Sequence, residues 1–94
     1  MGMTYTDSYE TRKAHNEVSV DKVAYGLDYI IKSPIDGKAT EVNATFYQGE
    51  KRIGYGSYYN GASGVRFDAE AAVPMNAQKA VSEQFMIDLT EILK

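Results

Sequence analysis

Val23-Ala24-Tyr25-Gly26-Leu27-Asp28-Tyr29-Ile30-Ile31 is the stretch on which the fold turns. Its odd-numbered residues, Val23, Tyr25, Leu27, Tyr29 and Ile31, are apolar or aromatic, while Lys22, Ala24, Gly26, Asp28 and Lys32 fall between or beside them. A two-residue period in a β-branched and aromatic run is what a strand with one buried face requires. Just upstream, Val18 and Val20 sit on the opposite parity. Either the strand begins after them, or a bulge near Asp21-Lys22 shifts the register by one. Residues 1–15 show no period and are nearly all polar, which predicts a loosely ordered N-terminal arm.

Toward the C-terminus, Ser33-Pro34-Ile35-Asp36-Gly37-Lys38 supplies a turn. Pro34 has no amide hydrogen to give a sheet, and Gly37 can take positive φ. A second strand is expected over 39–47, with Val42, Ala44 and Phe46 on one face. Gln48-Gly49-Glu50-Lys51 turns into a third over 52–59, and Asn60-Gly61-Ala62-Ser63-Gly64 into a fourth over 65–69, with Val65 and Phe67 inward. Turns this short force neighbouring strands to run antiparallel. Beyond Pro74, Ala77, Val81, Phe85, Leu89, Ile92 and Leu93 recur at helical spacing without an intervening glycine or proline. Ile87 projects to the far side of that helix. A sheet with one apolar face and a helix with one apolar stripe cover each other. The predicted architecture is therefore α+β: a four-stranded antiparallel meander within 17–70, closed on one face by an amphipathic helix over 75–94, all in a single domain.

Composition narrows the function classes. With no cysteine, disulfides, thiol nucleophiles and zinc ribbons are excluded. The formal net charge is −3 and the basic residues are scattered, Arg12-Lys13 and Lys51-Arg52 being the only adjacent pairs. That balance argues against nucleic acid and anionic membrane as partners. The polar first ten residues lack a signal peptide's apolar centre, and no stretch reaches the roughly 20 apolar residues of a membrane span. A soluble cytoplasmic protein is expected.

No constellation carries a recognisable reaction. His15 is the one histidine and falls in the polar arm, where a solvated side chain is the expectation. Asp68 and Glu70 stand two apart but lack the further oxygen ligands that a hard cation wants. Asp28 lies in an apolar run, on the outer parity where water reaches it. No catalytic residue, metal site or cofactor is assigned. Arg52-Ile53-Gly54-Tyr55-Gly56-Ser57-Tyr58-Tyr59 contains the Gly-aromatic-Gly core of the aromatic strand in RNA-recognition sheets. Ile53, however, stands where the basic residue belongs, Ser57 stands where an aromatic does, and the βαββαβ frame is missing. Gly54 and Gly56 share a face, predicted here to be the outer one together with Tyr58, while Ile53, Tyr55 and Tyr59 turn to the core.

Gly54, Gly56, Tyr47, Tyr58 and Ile87 are accordingly the expected contact residues, and a non-enzymatic protein working through protein contact, as a homodimer, is the favoured function. A small-ligand or enzymatic domain using the glycine–tyrosine face is one alternative. A mobile-element accessory or inhibitor protein that binds a host enzyme is another.

Overall fold

The computed structural model describes residues 4–7, 11–33 and 38–94, with side chains described from residue 11 onward. It is α+β, as the patterning predicts: one antiparallel sheet in simple chain order, covered on one face by a helix. The strands are β1 (Thr4–Asp7), β2 (Thr11–Val20), β3 (Val23–Lys32), β4 (Glu41–Gln48), β5 (Lys51–Tyr59) and β6 (Ala62–Phe67). A 3₁₀ turn at Ala69–Ala71 leads to the helix α1 (Met75–Ile92). The expectation of four strands is too low: β2 is a fifth long strand, and β1 adds a short pairing along its outer side. Residues 11–15 are thus sheet and not arm. The remainder of the expected arm at 1–3 and 8–10, and the Pro34–Gly37 turn at 34–37, lie outside the described residues.

The parity problem at Val18 and Val20 has a plain resolution. Asp21 and Lys22 both adopt positive φ, 51° and 68°, and Val20 pairs with Val23. This is the two-residue hairpin geometry that matches strand twist, built here without the usual glycine. Asn60-Gly61, at 45° and 95°, makes the same kind of turn between β5 and β6.

Val23–Lys32 alternates as its sequence requires, with Tyr25, Leu27, Tyr29 and Ile31 buried and Asp28 and Ile30 exposed. The core lies between this face, Val42, Ala44, Phe46 and Ile53, and the helix residues Ala77, Val81, Phe85, Leu89 and Ile92. Phe85 is its hub. The ring stacks on Tyr29 (centroids 6.2 Å apart, 7° between planes) and meets Phe46 edge-on at 5.8 Å. Burying each such large apolar side chain contributes about 1.5–3 kcal/mol.

A β-bulge reverses the expected orientation of β5. Phe46 pairs with Gly54 but Tyr47 pairs with Arg52, leaving Ile53 as the extra residue. Ile53 and Gly54 both turn inward, and from there Gly56 and Tyr58 follow the inner face while Tyr55 and Tyr59 point out. The predicted assignment of Tyr55 and Tyr59 to the core is corrected accordingly.

Candidate functional site

Gly54 and Gly56, expected on the outer face, are buried on the inner one and offer no contact surface. A Cβ on Gly56 would stand 2.9–3.0 Å from the ends of the Phe85 and Phe46 rings. One on Gly54 would press into the Arg66 carbonyl and stand 3.1 Å from Phe67 Cδ1. Gly56 leaves room for the two aromatic rings, and Gly54 for the close approach of the β6 backbone at Arg66 and Phe67. Tyr58 is half-buried against the same core, opposite Val42. Of the predicted contact residues, Tyr47 does face outward and Ile87 is 62% exposed on the far side of α1. The set is therefore split between both faces of the molecule.

On the outer face, neighbouring strands assemble a polar group that no sequence motif announced. His15 on β2 is directly opposite Asp28 on β3, and Glu17 is opposite Gly26. The imidazole pairs through Nδ1 with Asp28 and through Nε2 with Glu17 Oε2 at 3.1 Å. Gly26 makes room for it: a Cβ there would be 3.3 Å from His15 Cε1. The Asp28 hydrogen bond, followed by that of Glu17, raises the His15 pKa above its ordinary 6.5. Beside the ring is a shallow depression of about 410 Å³ bordered by Tyr47 and Glu50, and a second of about 380 Å³ bordered by Lys13, Ile30 and Thr45. When the ring is protonated, each nitrogen donates to one of the two carboxylates. Among the described residues no cluster of three or more histidine, aspartate or glutamate side chains is arranged to hold a metal.

A second polar group lies beneath the helix. Asp88 is 1% exposed, and its carboxylate accepts hydrogen bonds from Asn16 Nδ2 (3.0 Å), Gln84 Nε2 (2.9 Å) and the Tyr29 hydroxyl (2.5 Å). Burial first, then the adjacent carboxylate, drives the Tyr29 pKa far upward, so this phenol remains a donor. Asp88 falls on the helical stripe between Phe85 and Ile92, a position legible from spacing alone. Asn16 sits on the same parity of β2 as Val18 and Val20. These groups tie β2, β3 and α1 together around the buried Asp88 carboxylate.

The least finished part of the molecule is its β5–β6 end. The body of α1 lies over β2, β3 and β4. β6 extends past it, and five of its six residues are exposed. Val65 shares the inner face with Gly56 yet remains 37% exposed, because no helix covers it. The other edge of the sheet is β1, only four residues long.

No helix among the described residues is long and apolar enough to cross a membrane. No family model matches this chain, and no curated protein or solved structure shows significant similarity to it.

Proposed function

We propose that this protein works by contact, in the first place with a second copy of itself, through the β5–β6 end of the sheet. The observation that supports this reading is β6 itself, a six-residue strand with an open edge and an apolar inner residue that α1 leaves uncovered. Sheet edges normally carry lysine, proline, a bulge or a covering element, since an unpaired edge invites another strand. The sequence Ala62-Ser63-Gly64-Val65-Arg66-Phe67 has one charge and no proline. Exposed Ile87 and Met86 on α1 add apolar surface to the same molecule. Sedimentation equilibrium between 1 and 100 µM (about the range for a weak to moderate dimer) tests the reading. A reversible dimer is expected, and a species that stays monomeric throughout removes it.

The outer-face depression favours a second reading, a small-ligand site bordered by Tyr47, Glu50 and the His15 group. Its size falls within the range of ligand pockets, about 300–1,000 Å³, but it is broad and open where such pockets are usually enclosed. Screening small carboxylates and amines against the single imidazole resonance of His15 tests it. An unmoved resonance across the set counts against this site.

A further inference from the structure

We propose that two copies join antiparallel through β6 about a two-fold axis at Val65, fusing their sheets into one and forming an apolar trough between the two α1 helices. The inference rests on the contact reading above and adds the register, the axis and the surface that results.

The backbone determines which groups are free. Asp68 N–H donates to the Ile53 carbonyl at 2.8 Å, and the pairing continues through Tyr55–Arg66 and Ser57–Gly64 to Tyr59–Ala62 beside the tight turn. Main-chain groups in a strand alternate in direction, so those of Ala62, Gly64 and Arg66 turn toward β5. The N–H and C=O groups of Ser63, Val65 and Phe67 then point to the open edge. A second copy of β6 can satisfy them only when outward residues stand opposite outward residues.

That condition leaves a short series of registers, with the axis at 63, 64, 65, 66 or 67. An axis at 65 places Ser63 opposite Phe67 of the other copy, Val65 opposite Val65, and Phe67 opposite Ser63. Each pair exchanges two hydrogen bonds, so every outward group of the strand is used. Moving the axis in either direction pushes one end of the strand past its partner and loses pairs. An axis at 66 also sets Arg66 directly against Arg66, where like charges repel. With the axis at 65, Arg66 lies across from Gly64, the one residue of β6 with no side chain in the way.

The side chains agree with the backbone. Ser63, Val65 and Phe67 share the inner face, as their partners Tyr58, Gly56 and Gly54 do. A two-fold axis perpendicular to the sheet keeps both helices on that same side. Between them, Tyr58, Val65 and Phe67 of each copy floor a trough. At about 100° per residue, Met86 projects on the opposite flank of α1 from Asp88, which faces β2. Met86, 49% exposed in one copy, therefore walls the trough on each side.

Cysteine pairing tests the register directly, because the chain has no cysteine of its own. Gly64 and Arg66 of opposite copies would form a non-hydrogen-bonded pair, with Cα atoms about 4.5 Å apart, inside the disulfide range. A side chain at 64 would meet nothing within 4 Å. Purified Gly64→Cys and Arg66→Cys chains are mixed under mild oxidation and analysed by mass spectrometry. The mixed 64–66 disulfide is expected to dominate at least tenfold over 64–64 and 66–66. Predominance of either like pair, or of no disulfide in a chain that sediments as a dimer, overturns the register while leaving contact through another surface. A wild-type chain that remains monomeric overturns the contact reading as well. Val65→Pro provides a separate check, since it deletes an N–H directed at the open edge and none that β5 uses. It should be monomeric with an unchanged far-ultraviolet spectrum, and Val65→Glu should be monomeric too. Dimers as tight as wild type from both variants also overturn the proposal.

Discussion

His15 holds two carboxylates that would otherwise repel one another. Asp28 and Glu17 each pair with one ring nitrogen, Glu50 and Tyr47 border the ring on the β4–β5 side, and Lys13 borders the neighbouring hollow. Its pKa is raised in the folded chain, so the folded state binds the proton more tightly than the unfolded one. The resulting stability is fully present below about pH 6.5 and is lost as pH rises through the higher folded value. The ring and both carboxylates are about half exposed, which keeps the effect below about 1 kcal/mol. Melting temperature should fall by a few degrees as pH is raised from 6 to 9, and His15→Gln should abolish the fall. A profile unchanged by that substitution would place the pH dependence elsewhere. Asp88 presents the opposite case, a buried carboxylate held by three neutral side-chain donors. Asp88→Leu strands the Asn16 amide and the Tyr29 hydroxyl in the buried interior, at about 1–3 kcal/mol for each unsatisfied donor. Asp88→Asn keeps one acceptor and should cost less. Urea denaturation of the two variants ranks them, and equal losses would contradict the bonding described.

At the scale of elements, the hairpin between β2 and β3 is the least optimised connection. Asp21 and Lys22 are held at positive φ, where an L side chain is strained. Asp21 has a further role, accepting a 2.7 Å hydrogen bond from Asn76 at the start of α1. Lys22 has no such bond among those described. Lys22→Gly relieves strain of about 1–2 kcal/mol and returns part of it as unfolded-state entropy. A net gain of about 0.5–1 kcal/mol is expected, read as a rise of several degrees in melting temperature. No gain, or a loss, would mean that the turn is not strained at that residue. The same turn explains why β2 escaped the sequence reading. Its inner residues are Ala14, Asn16, Val18 and Val20, and a buried asparagine interrupts the alternation just where a strand would otherwise have been evident. Without an Asn-Gly or Asp-Gly pair, the change of parity at Asp21-Lys22 was the one local mark of the reversal.

Across the whole molecule, stability depends on one helix closing one face of one sheet. Phe85 touches Tyr29, Phe46 and the space above Gly56, so it joins α1 to β3, β4 and β5 at a single point. Phe85→Ala should cost about 3–5 kcal/mol, a large part of the 5–15 kcal/mol typical of such proteins. Ile87→Ala, two residues along the same helix, should change chemical-denaturation stability by no more than about 0.5 kcal/mol. A comparable loss from both would show that the helix packs by its other face. The partial reach of α1 matters equally, since its body lies over β2, β3 and β4 and leaves β6 exposed.

Sequence alone determined the period of β3, the stripe of α1 and the antiparallel order of the strands from β3 onward, because each of these follows from local spacing and short turns. It also placed Ile87 and Asp28 correctly toward water. The remaining features arose when segments distant in the chain packed together. The bulge at Ile53 turned Gly54 and Gly56 inward, a single inserted residue being enough to exchange the faces of a strand. His15, Glu17 and Asp28 met because two strands paired in one register, and Asp88 found its donors because a helix came down on a sheet. Contacts between residues distant in the chain are set by packing, and no local pattern encodes them.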